Sequence, residues 1–236
     1  MSNEYKYPGK ELEIFESAVN WKKYFARQVF PFLKGNVLEV GAGLGTTTHL
    51  LNRNVADRWL LLEPDNEMQK ILKRKIHDNM LPPNCELAAG SIEMISKDNL
   101  FDAIVYIDVL EHIENDKKEI INAVALLKPG GHLIILAPAF QFLYSPFDKS
   151  IGHYRRYNKR NLLAIGTPLM TIQKKIYLDS MGFLASLLNK LLLRQSYPTT
   201  RQIIFWDKWL VPISKITDHI FFYSFGKSIL AIWKKQ

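Results

Sequence analysis

Apolar residues along the chain fall into short unbroken runs, and the stretches between them have helical spacing. Asn36–Val40, Arg58–Glu63, Cys85–Ala89, Phe101–Ile107 and His132–Ala137 read as strands, with helices near 45–53, 65–78 and 116–128. Runs without polar alternation suit strands buried on both faces, and an intervening helix lets successive strands run parallel. Upstream, Leu12, Phe15, Val19, Phe25 and Val29 predict one amphipathic helix over 10–30. Lys128-Pro129-Gly130-Gly131 reads as a helix stop followed by a tight turn. Thr171–Leu178 predicts a sixth strand and Ser228–Trp233 a last one. The segment 184–225 between them is long, apolar and basic. Its apolar runs fall short of the roughly 20 residues that a membrane span needs.

The glycine spacing adds chemistry to this frame. Val37-Leu38-Glu39-Val40-Gly41-Ala42-Gly43-Leu44-Gly45 is a buried strand that turns sharply into a helix, with glycine where a ligand can rest against bare backbone. A dinucleotide fingerprint would need glycine at 46, which is Thr46. Glu39, two residues before the first glycine, suits a ligand that carries positive charge, such as a sulfonium. Glu63-Pro64-Asp65 ends the second strand, where a carboxylate can accept ribose hydroxyls; as a purely local feature, Glu63 would cap the next helix. Gly90-Ser91-Ile92 follows the third strand, with Ile92 as an apolar ledge and Ser91 as a hydrogen-bonding group, or else forms an ordinary turn. Asp108 follows the fourth strand at the same sheet edge.

Together these residues resemble a class I S-adenosylmethionine-dependent methyltransferase of the quinone-biosynthesis and small-molecule branch. The resemblance runs from Val37–Gly45 with Thr46 to Thr48, through Leu61–Asp65, Gly90–Ile92, Phe101–Val105 and Val109–Ile113, to Leu127–Leu133, and covers roughly residues 35–140. It implies a Rossmann-like sheet of seven strands with the last antiparallel. Joined to the strands, helices and segment 184–225 read above, this makes an α/β fold, a doubly wound, mostly parallel sheet with helices on both faces and a helical insertion before the last strand. The resemblance also implies S-adenosyl-L-methionine as cofactor and S-adenosyl-L-homocysteine as product. Glu39, Gly41, Ala42, Gly43, Gly45 and Thr46 would hold the methionine end, Glu63 with Pro64 the ribose, and Ser91 and Ile92 the adenine. Asp108 would border both methionine and acceptor, as a cofactor and catalytic residue. The expected organisation is one methyltransferase domain over 1–236. Its core is 35–140, its acceptor-side loop and sixth strand 141–183, and its helical cap 184–225. The Asn/Asp-Pro-Pro-Tyr/Phe box of many amino methyltransferases is missing after strand four, which argues against an exocyclic amine acceptor.

The loop after strand five should overhang the methyl group. There, His153 is the expected general base with Asp148 orienting its ring, while Tyr154, Arg155, Arg156 and Tyr157 are expected to bind substrate; alternatively these arginines pair with sheet-edge carboxylates such as Glu111. The segment 153–157, with Gly226-Lys227-Ser228, is similar to a bacterial subgroup that accompanies glycosyltransferases of surface-polysaccharide and glycolipid pathways. Spacing places no metal: the six histidines show no ligand pattern with one another or with Cys85.

Composition then narrows the partners. The chain has 236 residues, 47% of them hydrophobic, and Cys85 is its only cysteine. No intramolecular disulfide can form, and a reducing cytoplasm is the expected setting. Met1–Lys10 lacks a signal-like apolar core, so export is not expected. Residues 1–150 carry a balance of −3, and residues 151–236 carry +11 with Asp179, Asp207 and Asp218 as the only acids. That asymmetry suits a phosphate-bearing substrate, an anionic membrane or nucleic acid. Trp206, Trp209, Phe205, Phe221 and Phe222, mixed with Lys190, Arg194, Arg201, Lys208 and Lys215, suit a cap with peripheral membrane contact as well as one packed on the sheet. The expected activity is O-methylation of a small or lipid-linked acceptor such as a sugar or glycolipid intermediate. An RNA or DNA methyltransferase is the alternative, disfavoured because no nucleic-acid-binding module is recognisable. A cofactor-binding protein without chemistry is the third.

Overall fold

The computed structural model describes residues 6–9, 11–53, 55–193 and 197–236. Arg194 and the extreme N-terminus, Met1–Tyr5, of the sequence reading lie outside them, as does Lys10. Seven strands form one sheet: β1 Asn36–Val40, β2 Arg58–Glu63, β3 Cys85–Ala89, β4 Phe101–Ile107, β5 Leu127–Pro138, β6 Met170–Leu178 and β7 Ser228–Lys235. Their order is β3-β2-β1-β4-β5-β7-β6. Pairing is parallel from β3 to β5, while β7 lies antiparallel to both β5 and β6. The helices are α1 Glu11–Glu16, α2 Val19–Val29, α3 Thr48–Leu51, α4 Asn66–His77, α5 Asp116–Ala125, α6 Pro146–Ser150, α7 Lys159–Leu163, α8 Ser180–Leu188, α9 Thr200–Phe205 and α10 Val211–Ile220.

The unbroken apolar runs have a direct cause. Neighbouring strand residues point to opposite faces, and each face is covered. Val37 packs with Trp21, Phe25 and Leu51 on one side, and Leu38 with Ile104, Ile120 and Val124 on the other. The sheet's carboxyl edge is left for the loops.

Three local expectations need correction. The single helix over 10–30 is two helices, because the amides that open α2 are claimed from elsewhere: Asn20 N donates to Asp207 Oδ2 at 3.0 Å and Trp21 N to Asp207 Oδ1 at 2.8 Å. The carboxylate thus caps α2 from a distant part of the chain. The turn expected at Lys128–Gly131 lies within β5, where Leu127 pairs with Phe101, the register shifts, and His132 pairs with Ala103. Lys128 Nζ holds that bulge against Asp102 Oδ2 at 2.7 Å. The helix near 45–53 shortens to the single turn α3.

The segment before β7 is helical. A π-helical stretch, Asn189–Leu193, extends α8, and another, Trp206–Leu210, joins α9 to α10. Asp179 opens α8 in the left-handed region (φ 68°), accepting from Gly182 N at 2.9 Å. Its other partners are Trp206 Nε1 at 2.8 Å and Ser214 Oγ at 2.7 Å. Asp218 accepts from Tyr24 Oη at 2.8 Å, Asp179 N at 2.7 Å and Ser180 N at 2.8 Å. All three acids of the basic C-terminal third are therefore buried and fastened. No described helix is long and apolar enough to cross a membrane.

Candidate active site

A cavity of 530 Å³ opens at the carboxyl edge of β1, β2 and β4. Gly41, Ala42, Gly43 and Thr46 line it together with Glu39, Glu63, Pro64, Ser91, Ile92 and Asp108. Gly41, Gly43 and Gly45 all have positive φ (67°, 56° and 71°), but they serve different ends. A Cβ on Gly45 would sit 2.9 Å from Leu72, and Gly45 lies behind the cavity wall that its neighbours Leu44 and Thr46 line. A Cβ on Gly43 would meet only Leu12, at 3.7 Å, so the open backbone faces the cavity there.

Two carboxylates shape this loop. Glu63 Oε2 accepts from Gly43 N at 2.7 Å and Oε1 from Asp65 N at 2.9 Å. Burial pushes its carboxyl up despite those bonds. The helix cap is Asp65 rather than Glu63, accepting from Glu67 N and Met68 N. Glu39 Oε2 accepts from Thr48 Oγ1 at 2.8 Å and Trp59 Nε1 at 2.7 Å. Burial outweighs both donors and raises its pKa to about 7. Asp108 adopts φ 53° and is exposed to the cavity rather than to open solvent. The surrounding walls still raise its pKa to about 6, with His153, Lys227 and Arg156 opposing the shift.

Across the cavity, α6 is built by a capping box in which Ser145 and Asp148 exchange bonds. The fully buried Asp148 then accepts from both Arg156 Nε (2.8 Å, Oδ1) and Nη2 (2.9 Å, Oδ2), and its Oδ1 lies 2.9 Å from His153 Nδ1. Burial pushes the Asp148 carboxyl up, but the bonds from His153, Arg156 and Ser145 prevail and hold it well below the usual range. An ionised carboxylate can only accept, so in the neutral ring it assigns the proton of His153 to Nδ1 and leaves the lone pair on Nε2. Nε2 lies 3.8 Å from Glu111 Oε1. Glu111 is fully buried with both oxygens lacking a hydrogen-bond partner, and burial raises its pKa well above the ordinary value, with Asp108 adding to the effect. Beside it, burial and then His153 lower the His112 pKa to about 3. Glu111, His112 and His153 bring ligand atoms within 4.8 Å of one another, a grouping that linear spacing does not reveal.

The loop residues expected to bind substrate divide. Arg156 lines the cavity, but its guanidinium is forked onto Asp148. Arg155 pairs with Asp116 at 2.7 Å and with Glu114 O, away from the cavity. Tyr157 is buried against Asp116 Oδ2 at 2.9 Å, and Tyr154 points outward. Pairing with carboxylates, the alternative for the arginines, is what is found, with Asp148 and Asp116 in place of Glu111.

That the two ends of the chain roof this cavity went unread in the sequence. Tyr7, Phe15, Trp21 and Lys22 come from the N-terminal segment, and Trp206 and Lys227 from beyond β6. Lys22 Nζ donates to Thr46 Oγ1 at 3.1 Å and so touches the glycine loop. Lys227 Nζ lies over the rings of Trp206 (4.6 Å) and Phe15 (5.8 Å). Burial lowers its pKa against the pull of Asp179. Apolar residues at helical spacing look the same whether they face a core or a cavity, and a lysine such as Lys22 carries no signal of its own.

A family profile described as methyltransferase domain matches residues 16–190. The chain belongs to the methyltransferase domain family. It is a class I S-adenosylmethionine-dependent methyltransferase domain, as its sheet order and glycine loop already indicate. The ubiquinone biosynthesis O-methyltransferase of Coxiella burnetii is 34% identical over 113 residues, 47% of this chain and 46% of that protein. The mitochondrial one of Dictyostelium discoideum is 30% identical over 109 residues, 42% and 34% of the two chains. The chain thus spans less than half the length of these curated relatives. The N-methyltransferase NodS of Bradyrhizobium japonicum, solved with S-adenosyl-L-homocysteine, superposes with TM-score 0.59 at 16% identity, covering 93% of this chain and 88% of that one. The [4+2]-cyclase SpnF superposes with TM-score 0.62 at 14% identity, covering 92% and 80%. Fold alone therefore does not select the reaction.

The residues present fit S-adenosylmethionine. The exposed Gly43 backbone, three acidic groups for a cationic ligand and the apolar Ile92 wall face one space.

Proposed function

We propose that this domain transfers a methyl group from S-adenosylmethionine to a hydroxyl oxygen of a small or lipid-linked acceptor. The observation that carries the reading is the Asp148–His153 pair, which ties Nδ1 and leaves Nε2 as the base in a wall of the cavity. The bound cofactor would supply an electrophilic methyl on a sulfonium. Glu63 would accept ribose hydroxyls, Glu39 and Thr46 would face the methionine end with Gly41, Ala42 and Gly43, and Ser91, Ile92 and Pro64 would flank the base and ribose. Asp108 would stand between methionine and acceptor. The carbon–oxygen bond would form as the sulfur–methyl bond broke, S-adenosylhomocysteine leaving as the neutral thioether, and His153 Nε2 would take the hydroxyl proton. Alignment and proton removal each lower the barrier, the latter by about 10²–10⁴-fold in rate.

Relatives named for ubiquinone O-methylation support an oxygen acceptor. Of the acceptor classes, a sugar or glycolipid intermediate draws on the His153–Tyr157 resemblance and on the basic C-terminal third. Incubating the protein with methyl-labelled cofactor and a cell extract tests the reading. Base-stable label in the lipid phase, or on aqueous small molecules, supports it. Label on nuclease-sensitive polymer, or none at all, overturns it.

A further inference from the structure

More than half of the exposed large apolar side chains among the described residues fall between Leu184 and Phe222. They are ordered. Phe205, Trp209, Ile213, Ile216 and Ile220 follow one another at three- and four-residue steps, forming one outward stripe along α9, its π-helical turn and α10. The stripe is about 22 Å long at the rise of a helix. Leu184, Leu188, Leu191 and Leu192 make a second such stripe on α8 and its extension. An aromatic chain, Phe221–Phe225–Phe183–Phe142, continues the surface toward the loop after β5.

Charge chooses the occupant. Lys190, Arg201 and Lys208 are exposed on these helices. Between 184 and 225 the only acids are Asp207 and Asp218, and both are buried: Asp207 on α2, Asp218 on Tyr24 and the amides that open α8. The segment therefore offers apolar stripes and cations with no exposed carboxylate. A second copy of the same face would leave those like charges unmatched, whereas an anionic lipid surface matches both the stripes and the cations.

We propose that the exposed face of α8–α10 seats the protein on an anionic bilayer surface, with Trp209, Ile216 and Phe222 entering the headgroup boundary. The same polypeptide carries Trp206 to the cavity wall, so seating there would bring that wall near the lipid surface. This goes beyond the methyl-transfer reading and is tested without turnover.

The full-length protein is floated with vesicles of phosphatidylcholine alone or mixed with phosphatidylglycerol. The expected result is recovery with the anionic vesicles, reduced by salt, and at least about tenfold weaker in Trp209→Asp/Ile216→Asp. Retained S-adenosylhomocysteine binding shows that this variant folds. Arg201→Glu/Lys208→Glu should lose anionic selectivity with the apolar stripe intact. No binding to anionic vesicles, or binding untouched by both variants, overturns the proposal. So does concentration-dependent dimerisation abolished by the aspartate variant with no vesicle binding.

Discussion

Asp148 Oδ1 stands 2.9 Å from Nδ1 of His153, while Arg156 forks the same carboxylate at 2.8 and 2.9 Å. The arginine fixes the carboxylate, which in turn fixes the ring. His153→Ala should therefore lower methyl transfer by about 10²–10⁴-fold while leaving S-adenosylhomocysteine affinity unchanged. Full transfer in the variant, measured with labelled cofactor, would remove His153 from the chemistry.

Glu63 braces Gly43 and, on the proposed reading, would accept the ribose hydroxyls, so its removal should act on binding before catalysis. Glu63→Ala is expected to weaken S-adenosylhomocysteine binding by about ten- to a hundredfold, equivalent to roughly 1.4–2.7 kcal/mol. Titration calorimetry reads this directly, and an unchanged dissociation constant refutes the ribose assignment.

Gly43 and Gly45 should respond differently to alanine. Gly45→Ala adds a clash with Leu72 to the cost of positive φ, so unfolding should become easier by about 2–4 kcal/mol. Gly43→Ala meets only the backbone cost, about 1–2 kcal/mol, but puts a methyl into the cavity and should cost cofactor affinity at least about tenfold. Denaturant unfolding alongside calorimetry separates the two effects. Equal losses of affinity would defeat the distinction.

The raised pKa of Glu39, about 7 against an ordinary 4.5, has a signed consequence. Between those values the folded state holds a proton that the unfolded chain has released, so this contribution to stability declines as pH rises through that window. Glu39→Gln keeps an acceptor for Thr48 and Trp59 without the charge. Relative to this variant, the wild type should lose about 2–3 kcal/mol between pH 4.5 and 8, read from urea midpoints. Parallel pH profiles would show that Glu39 is not the titrating group.

The sheet was legible because burial on both faces forces unbroken apolar runs, and the gathering of Glu39, Glu63 and Asp108 at one edge because each stands at or near the carboxyl end of a parallel strand. The Asp148–His153 pairing was readable because the two residues are five apart on one loop. The roof was not. Trp21 and Lys22 drew no notice, Trp206 read as a cap aromatic and Lys227 as part of the entry to the last strand, because only the fold brings both ends of the chain over the glycine loop. Arg155 and Tyr157 were misplaced because one loop holds residues facing opposite ways, and Asp116 draws both to its outer side.

The capping of α2 by Asp207 spans 186 residues between Trp21 and its acceptor, and Tyr24 meets Asp218 across 194. Contacts so distant in sequence carry the largest loop-closure cost and form late. During synthesis, α2 emerges long before the carboxylate that completes its first turn. The parallel core can assemble first, with the methyl-transfer chamber still roofless. The last event of folding would then be the closing of the active site. A chain cut short before Asp207 also lacks β7 and leaves β6 without a partner strand, so it should yield at most the parallel strands β1 to β5 without an enclosed chamber.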